Sequence, residues 1–199
     1  FGLPPVGGPA GANKPVLRVP AFTAAHGIEL FTNLNPWGES VSDTAFNAYT
    51  LIFDVLKPQS AYDAGQWTPL LQTSFGNGND AEIYIDPSGR LGINGTYHGQ
   101  VPADTWVRIV LVVNITDAGP STMTKYIDGV AVGSNDVAGV DGRFSLESNY
   151  VLGHALLFTD DGGETSELYV SAIQLRDYAM SPAAVQALGA AAATGIPLP

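Results

Sequence analysis

The chain has 199 residues, no cysteine and a formal charge of −11, with 19 Asp and Glu against 8 Lys and Arg, although only 14% of its residues are charged. That balance excludes a nucleic-acid or anionic-membrane binder, which needs a basic face to displace counterions. The missing thiols exclude a disulfide scaffold, a thiolate zinc site and a cysteine nucleophile.

Residues 1–15 (FGLPPVGGPAGANKP) are rich in Gly and Pro without a period and read as an extended arm. Short strands follow at 16–19 and 27–31, then a loop that carries Trp37. Residues 49–56 (YTLIFDVL) alternate, so that Tyr49, Leu51, Phe53 and Val55 form a wholly apolar face aimed at a core. Further strands are expected at 68–74 and 81–85. Asp86-Pro87-Ser88-Gly89 has the residue order of a type I turn, and 90–94 returns from it as a hairpin. Residues 106–116 (WVRIVLVVNIT) are long and β-branched, as in a central strand, with Trp106 buried at its start. Asp128-Gly129 is a two-residue hairpin turn between 123–128 and 130–132. Strands at 150–158 and 167–178 close the β-region. Only 181–188 reads as a helix, with Ser181 as N-cap, Pro182 at its first position and Gly189 at its exit. Residues 190–199 form an Ala- and Pro-rich tail.

The pattern predicts an all-β protein, an antiparallel β-sandwich or jelly roll over residues 16–189 with one short C-terminal helix, flanked by the arm and the tail. No repeat of 20–50 residues points to a propeller or solenoid, and no apolar run approaches the ~20 residues of a membrane span.

Four segments carry a family resemblance: AYTLIFDVL, TWVRIVLVVN, KYIDGVAVG, and LLFTDDGGE followed by ELYVSAIQLRDYAMSPAAVQALG. In this order they resemble the laminin-G-like (concanavalin-A-like) jelly-roll domains of bacterial secreted proteins, over residues 48–189. Val107 stands where His is common in that family. The resemblance implies a sandwich fold, an exported protein and frequent calcium binding. The superfamily spans lectins, carbohydrate-binding modules, glucanases and adhesion modules, so function has to be argued from a site.

Asp160-Asp161-Gly162-Gly163-Glu164 sets three carboxylates on a flexible turn. Calcium takes six to eight hard oxygens at ~2.3–2.6 Å, so this loop needs donors from elsewhere, and Asp80 is the expected contributor. The metal set is therefore Asp80, Asp160, Asp161 and Glu164 for a structural calcium. The competing reading is a solvated acidic turn. Asp80 and Glu82 lie two apart on one expected strand face, which Tyr84 continues, but no glucanase Glu-x-Asp-x-x-Glu run or lyase cluster is present. Their plainest reading is a solvent-facing strand edge. Trp37 and Trp67 are candidate platforms for a sugar ring, or else rings that plug their own loops. Tyr84, and His98 in an expected loop, complete the ligand set. His26 and His154 make no zinc spacing with His98, and no Gly-x-Ser-x-Gly or phosphate-binding glycine loop occurs.

The first residue, Phe1, reads either as the start of a processed or excised segment or as a truncation, while few charges, many Gly, Asn, Thr and Ser, and only three lysines (Lys14, Lys57 and Lys125) point to a secreted or cell-surface protein. Asn94-Gly95-Thr96 and Asn114-Ile115-Thr116 match the glycosylation sequon by composition. The expected function is a non-catalytic extracellular carbohydrate-binding module. The alternatives are a self-assembling homo-oligomer whose arm docks on a neighbour, and a polysaccharide-degrading enzyme.

Overall fold

The computed structural model describes residues 7–11, 13–21, 27–31, 45–74, 78–137, 139–147 and 154–199. Trp37, His26 and the first part of the strand expected at 150–158 lie outside them.

The strands in chain order are β1 (Leu17–Val19), β2 (Ile28–Phe31), β3 (Ala45–Phe46), β4 (Ala48–Leu56), β5 (Thr68–Leu71), β6 (Ile83–Ile85), β7 (Leu91–Ile93), β8 (Thr96–His98), β9 (Val107–Asn114), β10 (Thr122–Ile127), β11 (Val130–Asp136), β12 (Leu146–Glu147), β13 (His154–Leu157) and β14 (Leu168–Arg176). Helix α1 (Gln59–Asp63) follows β4 and α2 (Pro182–Leu188) follows β14. One layer is a six-stranded sheet in the order β1-β14-β4-β9-β10-β11. Facing it is the four-stranded sheet β5-β6-β7-β8, which the bridge between Gln72 and Leu156 extends to the β13-β2 pair. Each named pairing is antiparallel, as the sequence pattern predicts for an all-β sandwich.

The alternation in β4 places Tyr49, Leu51, Phe53 and Val55 in the core between the layers, against Leu70, Ile83, Ile85 and Leu91 of the facing sheet. The other face of β4 is buried too. Ile52 packs with Val110, Val112, Tyr126, Met180 and Val185 in a second cluster beneath α2. A strand covered on both faces reads as a continuous apolar run, which explains why β4 is so poor in polar residues.

Local chemistry sets the boundaries. Asp128 and Gly129 both have positive φ (50° and 81°), the type I′ geometry whose twist matches a two-residue hairpin. Ser181 Oγ accepts from the Ala184 amide at 3.3 Å and Pro182 opens α2, as helix-start chemistry requires. Two expectations change. Helix α1 has five residues, too short to show a helical period. Trp106 is half-buried and precedes β9, because its indole N–H donates to the Gly7 carbonyl at 2.7 Å instead of entering the core. The described part of the arm thus lies on its own chain, where Lys14 also donates to the Ala193 carbonyl of the tail. No helix among the described residues is long and apolar enough to cross a membrane.

Candidate functional site

The outer face of the four-stranded sheet carries an aromatic row. Register places Pro69 opposite Tyr84, Tyr84 opposite Gly92, and Gly92 opposite Tyr97. Their sequence neighbours Ile83, Ile85, Leu91 and Ile93 turn into the core. Gly92 leaves the row without a side chain between the two tyrosines, and Trp67, just before β5, touches both. Its ring lies 5.8 Å from Tyr84 in a T-shaped contact (84°) and 5.6 Å from Tyr97 (59°), separations typical of favourable aromatic pairs. Trp67 and Tyr97 are half-exposed, whereas Tyr84 is only 6% exposed. Tyr84 is therefore a prop beneath Trp67 and not itself a stacking surface. The Arg90 guanidinium lies 5.7 Å from the Tyr97 ring and pairs with Asp86 at 2.7 Å.

The acidic loop adjoins this row through Tyr84, whose hydroxyl donates to Asp160 Oδ1. Asp160 is fully buried and also accepts from the Ala81 amide (Oδ1, 2.8 Å) and the Gly162 amide (Oδ2, 2.8 Å). Asp80, Asp160 and Asp161 bring one carboxylate oxygen each to within 4.8 Å of one another. That span is about twice a calcium–oxygen distance, so one ion is able to touch all three. Glu164 joins through a side-chain hydrogen bond to Asp160, which raises its own pKa, with burial adding to the effect. Burial pushes Asp160 up as well, but hydrogen bonds from Glu164, Tyr84 and the two amides outweigh it and hold Asp160 below its ordinary value. Glu164 is therefore the member of the pair that takes up a proton first, and it holds that proton against Asp160. A cation in the same place would do the work of that proton, and the remaining coordination would fall to carbonyls and water.

Two residues weighed from the sequence, the expected ligand His98 and the carboxylate Glu82, sit elsewhere. His98 belongs to β8, not a loop, and pairs with Leu91 on the core-facing side. Its Nδ1 stands 2.8 Å from the Lys125 ammonium, away from the aromatic row. Glu82 is also not on a solvent face. It is fully buried, just before β6, with its amide donating to the Leu71 carbonyl at 2.7 Å. There its Oε2 accepts from the Thr73 amide at 2.6 Å and its Oε1 faces Arg143 Nε at 3.1 Å. Both side chains line a polar cleft of about 320 Å³ with Asn79, Asp141 and Ser145. Asp80, by contrast, is exposed.

Burial pushes Glu82 up to about 7 from an ordinary 4.5, and Thr73 and Arg143 pull it back only in part. The folded state then binds a proton more tightly than the unfolded chain. This contribution to stability is complete below pH ~4.5 and is lost as pH rises through ~7. Glu82→Gln, neutral throughout, lacks that slope. Denaturant unfolding of both proteins across the window should show wild type losing on the order of 3 kcal/mol relative to the variant. Parallel curves would refute it.

Tyr97, Arg90 and Arg143 were not singled out from sequence. For Tyr97 a signal existed: Asn94-Gly95, with φ of 51° and 80°, is a type I′ turn that sets the β7–β8 register and puts Tyr97 beside Gly92. For Arg143, 61 residues from Glu82, no local signal exists.

No family model and no curated protein matches this chain. Solved structures do. A tryptophan-to-alanine mutant of HCR/D aligns with a TM-score of 0.53 at 13% identity, covering 86% of this chain and 42% of that one. Trypanosoma rangeli sialidase aligns at 0.49 and 18% identity over 71% of this chain and 22% of its own. The botulinum neurotoxin type G receptor-binding domain aligns at 0.45 and 11% identity over 71% and 37%. The chain thus spans less than half the length of each. At these identities the likeness is one of fold, a β-sandwich of jelly-roll type.

Proposed function

We propose that the protein is a non-catalytic, extracellular carbohydrate-binding module of the laminin-G-like kind, steadied by a structural calcium ion. The observation that carries this reading is the aromatic row. Trp67 and Tyr97 present half-exposed rings on one sheet face, propped by the buried Tyr84 and flanked by Arg90. A ring held on a rigid strand costs little conformational entropy when a sugar's C–H face packs on it. Tyr84 links the row to the acidic loop, so an ion at Asp80, Asp160 and Asp161 stiffens the support beneath Trp67.

A glycan array probed with calcium and again with chelator tests this reading, followed by titration calorimetry on any hit. Trp67→Ala is expected to weaken binding at least tenfold, equivalent to ~1.4 kcal/mol, while the fold persists. Binding to no glycan in either condition, or full affinity in Trp67→Ala, overturns it.

One observation favours a second reading, a polysaccharide-degrading enzyme. Glu82 and Asp141 line the same polar cleft, and burial holds Glu82 near 7, in the range of a general acid. Release of reducing ends from a polysaccharide, abolished by Glu82→Gln, distinguishes it from the first.

A further inference from the structure

Lys125 stands on the face of β10 that carries Met123 into the core, and its side chain is fully buried. Its ammonium nitrogen contacts the carbonyls of Leu91 (3.1 Å) and Thr96 (3.4 Å), Nδ1 of His98 (2.8 Å) and Oδ1 of Asn135. None of these four is a counter-charge. A buried cation without one favours its neutral form, and burial brings Lys125 down to about 8. Burial, and then Lys125 itself, lower His98, which favours the neutral imidazole, and in the tautomer with its proton on Nε2 the Nδ1 accepts from the amine.

Asn135 is 6% exposed. It faces Met123 across the β10–β11 ladder, while Gly133 faces Lys125, so the lysine and the asparagine are diagonal neighbours on the core side. The Asn135 amide nitrogen donates to the Thr96 carbonyl at 3.4 Å, which turns its oxygen toward the lysine. Gly133 matters here, because a Cβ at that position would stand 2.4 Å from the His98 ring. Only glycine lets the imidazole reach the amine. A nucleophile, a carboxamide and a base are thus gathered in one site, in which the amine is fully buried and the carboxamide nearly so.

We propose that Lys125 and Asn135 become joined by an isopeptide bond between β10 and β11, with His98 moving the proton. Lys125 Nζ, as the free amine, attacks Asn135 Cγ. His98 Nδ1 takes a proton from Nζ and passes it to Asn135 Nδ2. The Cγ–Nδ2 bond breaks, ammonia leaves, and Nζ–Cγ remains as an amide that keeps the asparagine oxygen. No oxidant or further reactant enters. The reaction replaces a desolvated amine with a neutral amide, relieving the cost of burying its charge, and contact geometry of this kind supplies most of the effective concentration. Lys57 is equally buried and also near 8, but among the described residues its ammonium meets the Gln66 main-chain carbonyl and the Tyr62 ring, and no side-chain carboxamide.

Tryptic mapping of the denatured wild-type protein tests this, after the folded protein has been kept at mildly alkaline pH. Trypsin cuts after Arg108, Lys125 and Arg143 in this region. The expected product is one uncleaved peptide spanning 109–143, lighter than its sequence by one ammonia, with the Lys125–Asn135 link located by fragmentation. Asn135→Ala should yield 109–125 and 126–143 separately at full mass, and His98→Ala should form the link about a hundredfold more slowly. Recovery of 109–125 and 126–143 at full mass from wild type overturns the proposal. So does an ammonia deficit found only in 91–108, which is the succinimide of Asn94-Gly95.

Discussion

Arg108→Ala is expected to cost about 3–5 kcal/mol of stability, the range for breaking a buried ion pair from one side. Arg108 is 1% exposed and lies opposite Asp54 in the β4–β9 ladder. The pair is bidentate, with Nε to Oδ1 at 2.7 Å and Nη2 to Oδ2 at 2.8 Å. The same guanidinium donates to the Leu188 carbonyl at 2.6 Å and the Gly195 carbonyl at 3.0 Å. One side chain thus answers a buried carboxylate, closes the end of α2 and ties down the tail. Removing it leaves the Asp54 charge in a desolvated layer with no partner. The denaturation midpoint should fall with an unchanged slope, and protease should gain access to 190–199 in the folded state. The double variant Asp54→Leu with Arg108→Met separates the two roles. It should recover most of the stability, since an apolar pair often replaces a buried ion pair at little cost, yet leave the tail open to protease. A loss below ~1 kcal/mol in Arg108→Ala would mean that water reaches Asp54 and that the outer layer is not closed.

The Arg108 pair also marks the limit of what the chain discloses before it folds. Strands β4 and β9 to β11 are legible because alternation and the Asp128-Gly129 turn are local signals, and so is α2, whose cap and proline stand next to each other. That Asp54 is buried is not legible. Its partner is 54 residues away, and the layer that covers both arrives from the chain's end. Glu82 fails for the same reason. Two-residue spacing puts it level with Asp80, but the cleft that buries it is completed by Arg143 from a distant loop. His98 looked like a loop residue because its strand has only three members, too few for a pattern. The acidic set is the favourable case. Asp160, Asp161 and Glu164 are neighbours in sequence, and the structure brings Asp80 to the first two. What no spacing discloses is that Asp160 is held below and Glu164 above its ordinary pKa, since this depends on how the Gly162-Gly163 turn closes.

That opposition makes the calcium proposal sharply testable. Calcium at one hundred times its dissociation constant should stabilise the folded protein by ~2.7 kcal/mol, because the unfolded chain does not hold the carboxylates together. Magnesium should do less, since it demands near-octahedral geometry at 2.0–2.1 Å and the donors here come from a flexible turn and a separate segment. Where Glu164 carries its proton, the ion has to displace it. Because the Glu164 pKa is raised, calcium affinity should climb as pH rises through that raised value and then level off, with proton release measurable in calorimetry by changing the buffer. Asp160→Ala also removes the acceptor of the buried Tyr84 hydroxyl and one of the two acceptors of the Ala81 amide, so it lowers stability whether or not an ion binds. The decisive quantity is therefore the increment that calcium adds. Asp160→Ala should abolish the increment, whereas Glu164→Gln should keep part of it and lose its pH dependence. Identical melting curves for wild type in calcium and in chelator would remove the ion from the function. The acidic loop would then stand as a hydrogen-bonded turn whose work is to position Tyr84 beneath Trp67.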